Sequence, residues 1–123
     1  PYTGWTKWMG GNGRIRNLIH RKDGKKNGLA VWFYKNNGQK EGELNYKDGK
    51  KDGLMTWWYE NGQKKAETTF TDDKVMTSVV WRPNGEKCPV TNVVNGNGAK
   101  VWYNNDGTVK RRVTYRDGEE VED

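Results

Sequence analysis

The sequence predicts an all-β fold, a single-layer antiparallel meander of β-hairpin repeats that forms an open twisted sheet of about nine or ten strands. A tryptophan is followed four to six residues later by a turn glycine five times, at Trp8, Trp32, Trp57, Trp81 and Trp102. These tryptophans are 24, 25, 24 and 21 residues apart, and such a regular interval indicates structural repeats. A second turn follows each turn glycine after eleven residues, and no apolar pattern has helical spacing.

The aromatic content compensates for a low aliphatic content. Leu, Ile, Val and Phe together number 19 of 123 residues, a proportion that by itself is typical of a disordered, charged sequence. Seven tryptophans and six tyrosines supply the missing apolar surface, because each ring can bury roughly 150 to 250 Å². Their regular placement argues against disorder. We therefore expect a thin core under one face of the sheet, with the other face in water.

The repeat divides the chain into five hairpin units within one domain, residues 1–123. The units are 5–28, 29–53, 54–77, 78–98 and 99–118, followed by an acidic tail at 119–123. In the third unit, Asn61-Gly62 is the pair favoured in a two-residue type I′ turn. A turn there places Trp57 opposite Ala66 and Met55 opposite Thr68. Asn-Gly turns are then expected along one sheet edge and Asp-Gly turns along the other.

Irregular units give two further expectations. The second unit has one additional residue on one arm, which predicts a β-bulge near Asn36. The fourth unit is one residue shorter on both arms, which predicts a shortened hairpin with Cys88 opposite Trp81. A small residue is therefore expected opposite the tryptophan in three units: Gly42 in the second, Ala66 in the third and Cys88 in the fourth.

Two consecutive segments resemble the MORN repeat variant, in which a glycine, an aromatic pair, Asn-Gly-Gln and Tyr-x-Asp-Gly recur about every 23 residues. They read GLAVWFYKNNGQKEGELNYKDGKKDG at 28–53 and GLMTWWYENGQKKAETTFTDDK at 53–74. The similarity weakens toward both ends of the chain. Bacterial proteins of this kind are often labelled YwqK-family antitoxins. The resemblance implies twisted hairpin repeats that contact proteins or membranes, and an antitoxin-like neutralisation of a partner.

We expect no enzyme activity, no cofactor and no metal site. Ser78, His20 and Cys88 are each the only residue of their kind, so a hydrolytic site would have to combine His20 of the first unit with Ser78 or Cys88 of the fourth. Zinc needs three or four converging ligands, and the chain has one histidine and one cysteine. Glu43 and Glu67 occupy equivalent positions about 9.6 Å apart across two strand spacings, and we interpret them as solvent-facing carboxylates.

The first candidate binding site is an aromatic groove. Tryptophans recur on one face of the predicted sheet at intervals of two strands, flanked by tyrosines. They form either the apolar spine of the sheet or a groove for a partner, and the sequence leaves both interpretations open. The candidate groove residues are Trp32, Tyr34, Trp57, Trp58, Tyr59, Trp81 and Trp102.

The second candidate is a basic sheet edge. The motif Lys-Asp-Gly-Lys-Lys, followed by Asn or Asp and then Gly, occurs at 22–28 and at 47–53. It predicts a row of lysines able to hold phosphates or anionic lipid head groups. The alternative is that these lysines keep turns soluble and sheet edges free of aggregation. The residues are Lys22, Lys25, Lys26, Lys47, Lys50 and Lys51.

These observations predict a non-catalytic module for protein–protein interaction or scaffolding, with association with anionic membranes or polymers as the alternative. The net charge is +6, but no recognition helix is predicted, so we expect no sequence-specific nucleic-acid binding. The acidic tail is interpreted as a solvated terminus or as a mimic of an anionic partner. The identity of a protein partner and the formation of a homo-oligomer stay open. We expect any targeting segment to be absent from this sequence or already removed, so the compartment stays open as well.

Overall fold

The computed structural model describes residues 1–121, and these form ten β-strands and no helix. The strands are β1 (Gly4–Met9), β2 (Ile15–Lys22), β3 (Lys25–Phe33), β4 (Lys40–Lys47), β5 (Lys50–Trp58), β6 (Lys64–Thr71), β7 (Lys74–Val80), β8 (Gly98–Tyr103), β9 (Val109–Arg116) and β10 (Glu119–Val121). The prediction of an all-β antiparallel meander is confirmed. The predicted acidic tail begins in β10, and its last two residues lie outside the described residues.

The meander is divided into two sheets. Strands β1 to β7 form a seven-stranded sheet in chain order, and β8 to β10 form a three-stranded sheet with β9 in the middle. Residues 87–97 connect them through isolated bridges instead of a regular strand, and Pro89 in this segment has no N–H to donate to a ladder. The sheets share one core, because Val80 of β7 and Val101 of β8 belong to the same buried cluster.

Type I′ turns lie along the Asp-Gly edge. Asp48 and Gly49 have φ angles of 51° and 85°, and Lys47 pairs directly with Lys50 across them. The same left-handed pair occurs at 23–24, 72–73, 95–96 and 117–118. Each turn is therefore the tight two-residue connection whose twist suits neighbouring β-strands.

The Asn-Gly turns have a different geometry from the predicted one. The N–H of Gly62 donates to the oxygen of Tyr59 over 3.0 Å, and the N–H of Tyr59 donates to the oxygen of Gln63 over 2.9 Å. This is a type I turn followed by a left-handed glycine. The predicted type I′ turn at Asn61-Gly62 is wrong, because the side-chain oxygen of Asn61 accepts from the N–H of Gln63 over 2.9 Å and keeps Asn61 at negative φ.

Asparagine side chains also connect successive turns along this edge. The side-chain amides of Asn12, Asn37 and Asn61 each donate to a backbone oxygen in the turn of the next unit, over 3.2, 3.0 and 3.0 Å. The acceptors are Lys35, Glu60 and Pro83. One hydrogen bond per unit therefore holds the Asn-Gly turns in a row.

Four of the five units have a β-bulge on the arm that follows the Asn-Gly turn. In the third unit, Trp57 pairs with Ala66 and Trp58 pairs with Lys64, so Lys65 is the additional residue. The predicted pairing of Trp57 with Ala66 and of Met55 with Thr68 is confirmed. The corresponding bulge residues in the other three units are Arg16, Glu41 and Lys110.

The second unit accommodates its additional residue in the turn. The N–H of Gly38 donates to the oxygen of Tyr34 over 3.0 Å, and the N–H of Tyr34 donates to the oxygen of Gln39 over 2.8 Å. The predicted bulge near Asn36 is therefore wrong, since Asn36 lies within a turn that is one residue longer than that of the third unit.

The fourth unit is shortened on one arm only. Its turn closes between Arg82 and Gly85 as the third closes between Tyr59 and Gly62, so its first arm has full length. Counting from Gly85, the residue equivalent to Trp57 is Val80, which pairs with Ala66. Cys88 donates its N–H to the oxygen of Val80 over 2.7 Å, and Trp81 forms a bridge with Lys87. The expected pairing of Cys88 with Trp81 is therefore wrong, because this unit has no bulge residue.

One face of the large sheet carries Trp32 and Trp57, and we call it the Trp face. Gly42 pairs with Trp32 on one side and with Trp57 on the other, so a small residue opposite the tryptophan is confirmed there. The two ring centroids are 6.3 Å apart with the planes tilted by 32°. A Cβ atom on Gly42 would lie 2.4 Å from Cζ3 of Trp57. The Trp57 ring therefore lies directly on the Gly42 backbone.

Replacing Gly42 by alanine should destabilise the fold by about 1 to 3 kcal/mol, because the new methyl group overlaps the ring of Trp57. Urea unfolding of Gly42→Ala measures this change. Gly11→Ala is the matched control, since its Cβ would have no neighbour within 4 Å. Equal stability of the two variants would contradict the close ring-to-backbone contact.

Candidate functional site

The two sheets line an open aromatic groove on the Trp face, which we call the junction groove. Its volume is about 440 Å³, within the range of small-ligand sites. Trp57, Trp102 and Tyr115 are each only partly buried, so a part of every ring faces the groove and solvent. The apolar lining comes from both sheets and comprises Met55, Trp57, Phe70, Val75, Trp102 and Tyr115.

A buried lysine also lines the junction groove. Lys100 is 2% exposed, and its Nζ donates a hydrogen bond to Oγ1 of Thr68 over 2.9 Å. The same Nζ lies 4.0 Å from the ring centroid of Trp102. The Thr68 hydroxyl is 3.0 Å from the hydroxyl of Ser78, so one amine and two hydroxyls form a continuous buried chain. Within residues 1–121, no carboxylate forms an ion pair with Lys100.

The surroundings of Lys100 disfavour its charged form. Burial, and to a smaller extent the ammonium group of Lys51, lower the pKa of its amine to about 7. A neutral amine is therefore present at physiological pH, when a lysine in water would be almost fully protonated. Burial also lowers the pKa of Lys65, with Lys110 acting in the same direction.

Sequence reasoning missed Lys100, although the repeat contains a signal for it. Ala30 lies two positions before Trp32 in the second unit, and Met55 lies two positions before Trp57 in the third. Both are buried. Lys100 occupies this position before Trp102. A lysine at a position where the repeat predicts an inward-facing apolar side chain marks the site.

The predicted aromatic groove residues do not form one continuous row. Trp57 and Trp102 line the junction groove, and Trp32 packs against Trp57. Tyr34 and Trp58 border a neighbouring depression of about 310 Å³ that Trp57 and Trp102 also line. The hydroxyl of Tyr34 donates to the backbone oxygen of Trp58.

The two remaining aromatic residues lie away from the groove. Tyr59 is 1% exposed, and its hydroxyl donates to the oxygen of Trp81 over 2.6 Å. Burial raises the pKa of Tyr59 to about 12, so this hydroxyl stays protonated. Trp81 lies on the opposite face from its neighbour Val80, with the Nζ of Lys64 at 5.9 Å from its ring centroid.

The six lysines of the predicted basic edge lie on both faces of the sheet. Lys26 and Lys51 turn onto the Trp face, where their Nζ atoms lie 5.1 Å and 5.2 Å from the rings of Tyr46 and Phe70. The other four are exposed and pair across the Asp-Gly turns, so strand alternation puts them together on the opposite face, which we call the outer face. These four are Lys22, Lys25, Lys47 and Lys50.

The single histidine, serine and cysteine have separate surroundings. Nδ1 of His20 lies 2.8 Å from the oxygen of Asn27, and Sγ of Cys88 accepts a hydrogen bond from the hydroxyl of Tyr103 over 3.1 Å. Ser78 belongs to the buried chain with Lys100. Within the described part of the chain, no group of three His, Cys, Asp or Glu side chains is arranged to hold a metal ion. The same residues contain no helix long and apolar enough to cross a membrane.

Residues 51–72 match the family described as the MORN repeat variant, which confirms the resemblance over that segment. The match covers most of the hairpin formed by β5 and β6. No curated protein matches the chain significantly. The bulge and the asparagine-stabilised turn of the matched hairpin recur in the unit before it, where Glu41 and Asn37 take the places of Lys65 and Asn61. The structure therefore extends the repeat geometry beyond the matched residues.

Replacing Lys100 by methionine should stabilise the fold at pH 7. The pKa of Lys100 is about 7 in the folded chain against 10.5 for an ordinary lysine, so between these values only the unfolded chain binds the proton. The wild-type stability therefore rises with pH in this window. The advantage of Lys100→Met should shrink by about 1 kcal/mol per pH unit as the pH rises from about 7 to about 9.

Urea unfolding at about pH 7, 8 and 9 measures this difference below the range in which tyrosines ionise. Lys74→Met, at an exposed position, controls for the loss of one charge. A difference between wild type and Lys100→Met that does not change with pH would show that the Lys100 amine is charged in the folded protein throughout this range.

Proposed function

We propose that the chain is a non-catalytic binding module whose junction groove receives an extended segment of a partner protein. The supporting observation is the set of three partly exposed rings, Trp57, Trp102 and Tyr115, which two sheets place around one open groove. Aromatic side chains in a concave apolar site contribute most of the binding energy at many protein interfaces. MORN repeats are generally non-enzymatic modules that bind proteins or membranes, and the match at 51–72 agrees with this proposal.

The charge of the chain favours an acidic partner. The net charge of +6 attracts an acidic protein from solution. An apolar side chain of the partner segment would contact the tryptophan rings. Neutralisation of that partner in the manner of an antitoxin is the narrower form of the proposal, and it requires the partner to lose its activity when bound.

Replacing Trp102 by alanine should weaken partner binding at least about tenfold, because it removes one wall of the groove. The partner is first isolated by affinity capture from the native organism, and its affinity for purified variants is then measured by calorimetry at low and high salt. Trp81→Ala, on the outer face, is the control and should bind like the wild type. The affinity of the wild type should persist at high salt, because salt does not screen apolar contacts.

The opposite pattern would contradict the use of the groove. If Trp81→Ala loses binding while Trp102→Ala keeps it, the partner contacts the outer face. Thermal unfolding of both variants ensures that each is folded at the temperature of the binding measurement. Loss of the partner's own activity in the complex then tests the antitoxin-like form separately.

A second candidate function is association with an anionic membrane or polymer through the outer face. The observation that favours it is the grouping of four exposed lysines beside two neighbouring Asp-Gly turns. Each lysine near an anionic membrane contributes about 1 kcal/mol, and salt screens this attraction.

Changing the four outer-face lysines to glutamate should abolish binding to vesicles that contain phosphatidylserine, because it reverses the charge that faces the lipid. The substitutions are at Lys22, Lys25, Lys47 and Lys50. The double variant Lys26→Glu and Lys51→Glu changes the Trp face instead and should retain most of the affinity. Sedimentation with vesicles at increasing salt measures both. Binding that survives the four substitutions would exclude this function.

A further inference from the structure

We propose that Lys100 is a covalent attachment site, at which its amine condenses with a small planar aldehyde held in the junction groove. This inference goes beyond the proposed function, since it requires neither a partner protein nor catalytic turnover. Four observations carry it: the burial of Lys100, its place in the lining of an open groove, the two hydroxyls beside it and a second lysine nearby.

The groove has the shape and polarity for a flat carbonyl compound. Its volume of about 440 Å³ is sufficient for a small aromatic aldehyde. The ring of Trp57 offers an apolar face on which a planar molecule can stack. The Nζ of Lys100 lies over the ring of Trp102, 4.0 Å from its centroid, so the amine stands at an aromatic wall of the groove.

The chemistry is a condensation without oxidation or reduction. The nitrogen lone pair of the neutral amine attacks the carbonyl carbon, and the carbonyl oxygen takes up a proton to give a carbinolamine. The hydroxyl then leaves as water, with the two amine hydrogens and the carbonyl oxygen accounting for that water, and a C=N bond remains. The hydroxyls of Thr68 and Ser78, 2.9 Å and 3.0 Å along the same chain, are placed to exchange these protons.

The local charges favour the neutral amine that this reaction needs. Desolvation of a lysine and a neighbouring cation are the two means by which proteins activate a lysine nucleophile. Burial and the ammonium of Lys51 provide both and bring the pKa of Lys100 to about 7. The other titratable groups that line the groove are Asp73 in the turn after β6, Tyr115 on β9, and Glu119 and Glu120 on β10.

These remaining groups do not offset the lowering of the pKa of Lys100. The carboxylates of Asp73, Glu119 and Glu120 belong to exposed side chains, and Glu120 is paired with Arg111. The pKa of Tyr115 is raised by burial, so its phenol is uncharged at neutral pH. Lys51 is therefore the charged group that acts on Lys100 together with burial.

Reductive trapping with salicylaldehyde tests the site directly. The full chain is incubated with the aldehyde and sodium cyanoborohydride at about pH 7, digested, and analysed by mass spectrometry, with the peptide that contains the Pro1 amine counted separately. Lys100 should be modified at least about tenfold more than the exposed Lys50 and Lys74, since a much larger fraction of its amine is neutral.

Three controls separate local activation from general lysine reactivity. Lys100→Met should lose the dominant adduct, and unfolding in urea should bring Lys100 to the labelling level of the other lysines. Lys51→Met should decrease labelling of Lys100 at about pH 7 severalfold, because the loss of the neighbouring cation raises the pKa of the amine.

Labelling of Lys100 at or below the level of Lys50 in the folded chain would overturn the proposal, as would labelling that urea leaves unchanged. The experiment contains no partner protein. Its failure therefore leaves the proposed protein-binding function intact, and failure of partner capture leaves the attachment site intact.

Discussion

The fold depends on the contact between the Trp57 ring and the backbone of Gly42. Because Gly42 has no side chain, the ring can lie on β4 while its own strand β5 pairs with that strand on one side and with β6 on the other. Gly42 also pairs with Trp32 of β3, so the contact lies where the registers of β3, β4 and β5 meet. A shift by one residue would put a charged side chain under the ring, since Glu41 and Glu43 flank Gly42. Once the register is determined, the two kinds of turn lie on opposite edges.

The packing of the second sheet explains why Trp57 belongs to the apolar core and also lines the junction groove. A single sheet of seven strands cannot cover its own apolar face, and the strands β8 to β10 fold over the part of it near β6 and β7. Trp57 then packs against buried residues of both sheets and still lines the junction groove. The interruption at residues 87–97 makes this possible, because a regular strand there would have continued the large sheet.

Three features were predictable because they follow from turn spacing and strand alternation. These are the order of the hairpins, the register of the third hairpin, and the placement of the two kinds of turn on opposite edges of the sheet. The predicted pairing of Trp81 is wrong, because the interval between tryptophans does not mark equivalent positions in the fourth unit. Counting from the turn, whose hydrogen bonds fix the geometry, gives Val80 as the equivalent of Trp57. The division of the lysines between two faces also follows from alternation across a two-residue turn. The groove itself was not predictable, since it requires the packing of one sheet on another.

Lys100 shows how one departure from the repeat connects stability with chemistry. Ala30 and Met55 fill the equivalent positions without any buried charge, so an apolar residue is compatible with the fold at this place. Natural chains keep such locally unfavourable residues chiefly at functional sites. The desolvation that makes Lys100 costly to bury also favours the neutral form of its amine, and Lys100 lies in the lining of the groove. The position that weakens the fold is therefore the position where the chain has chemical reactivity.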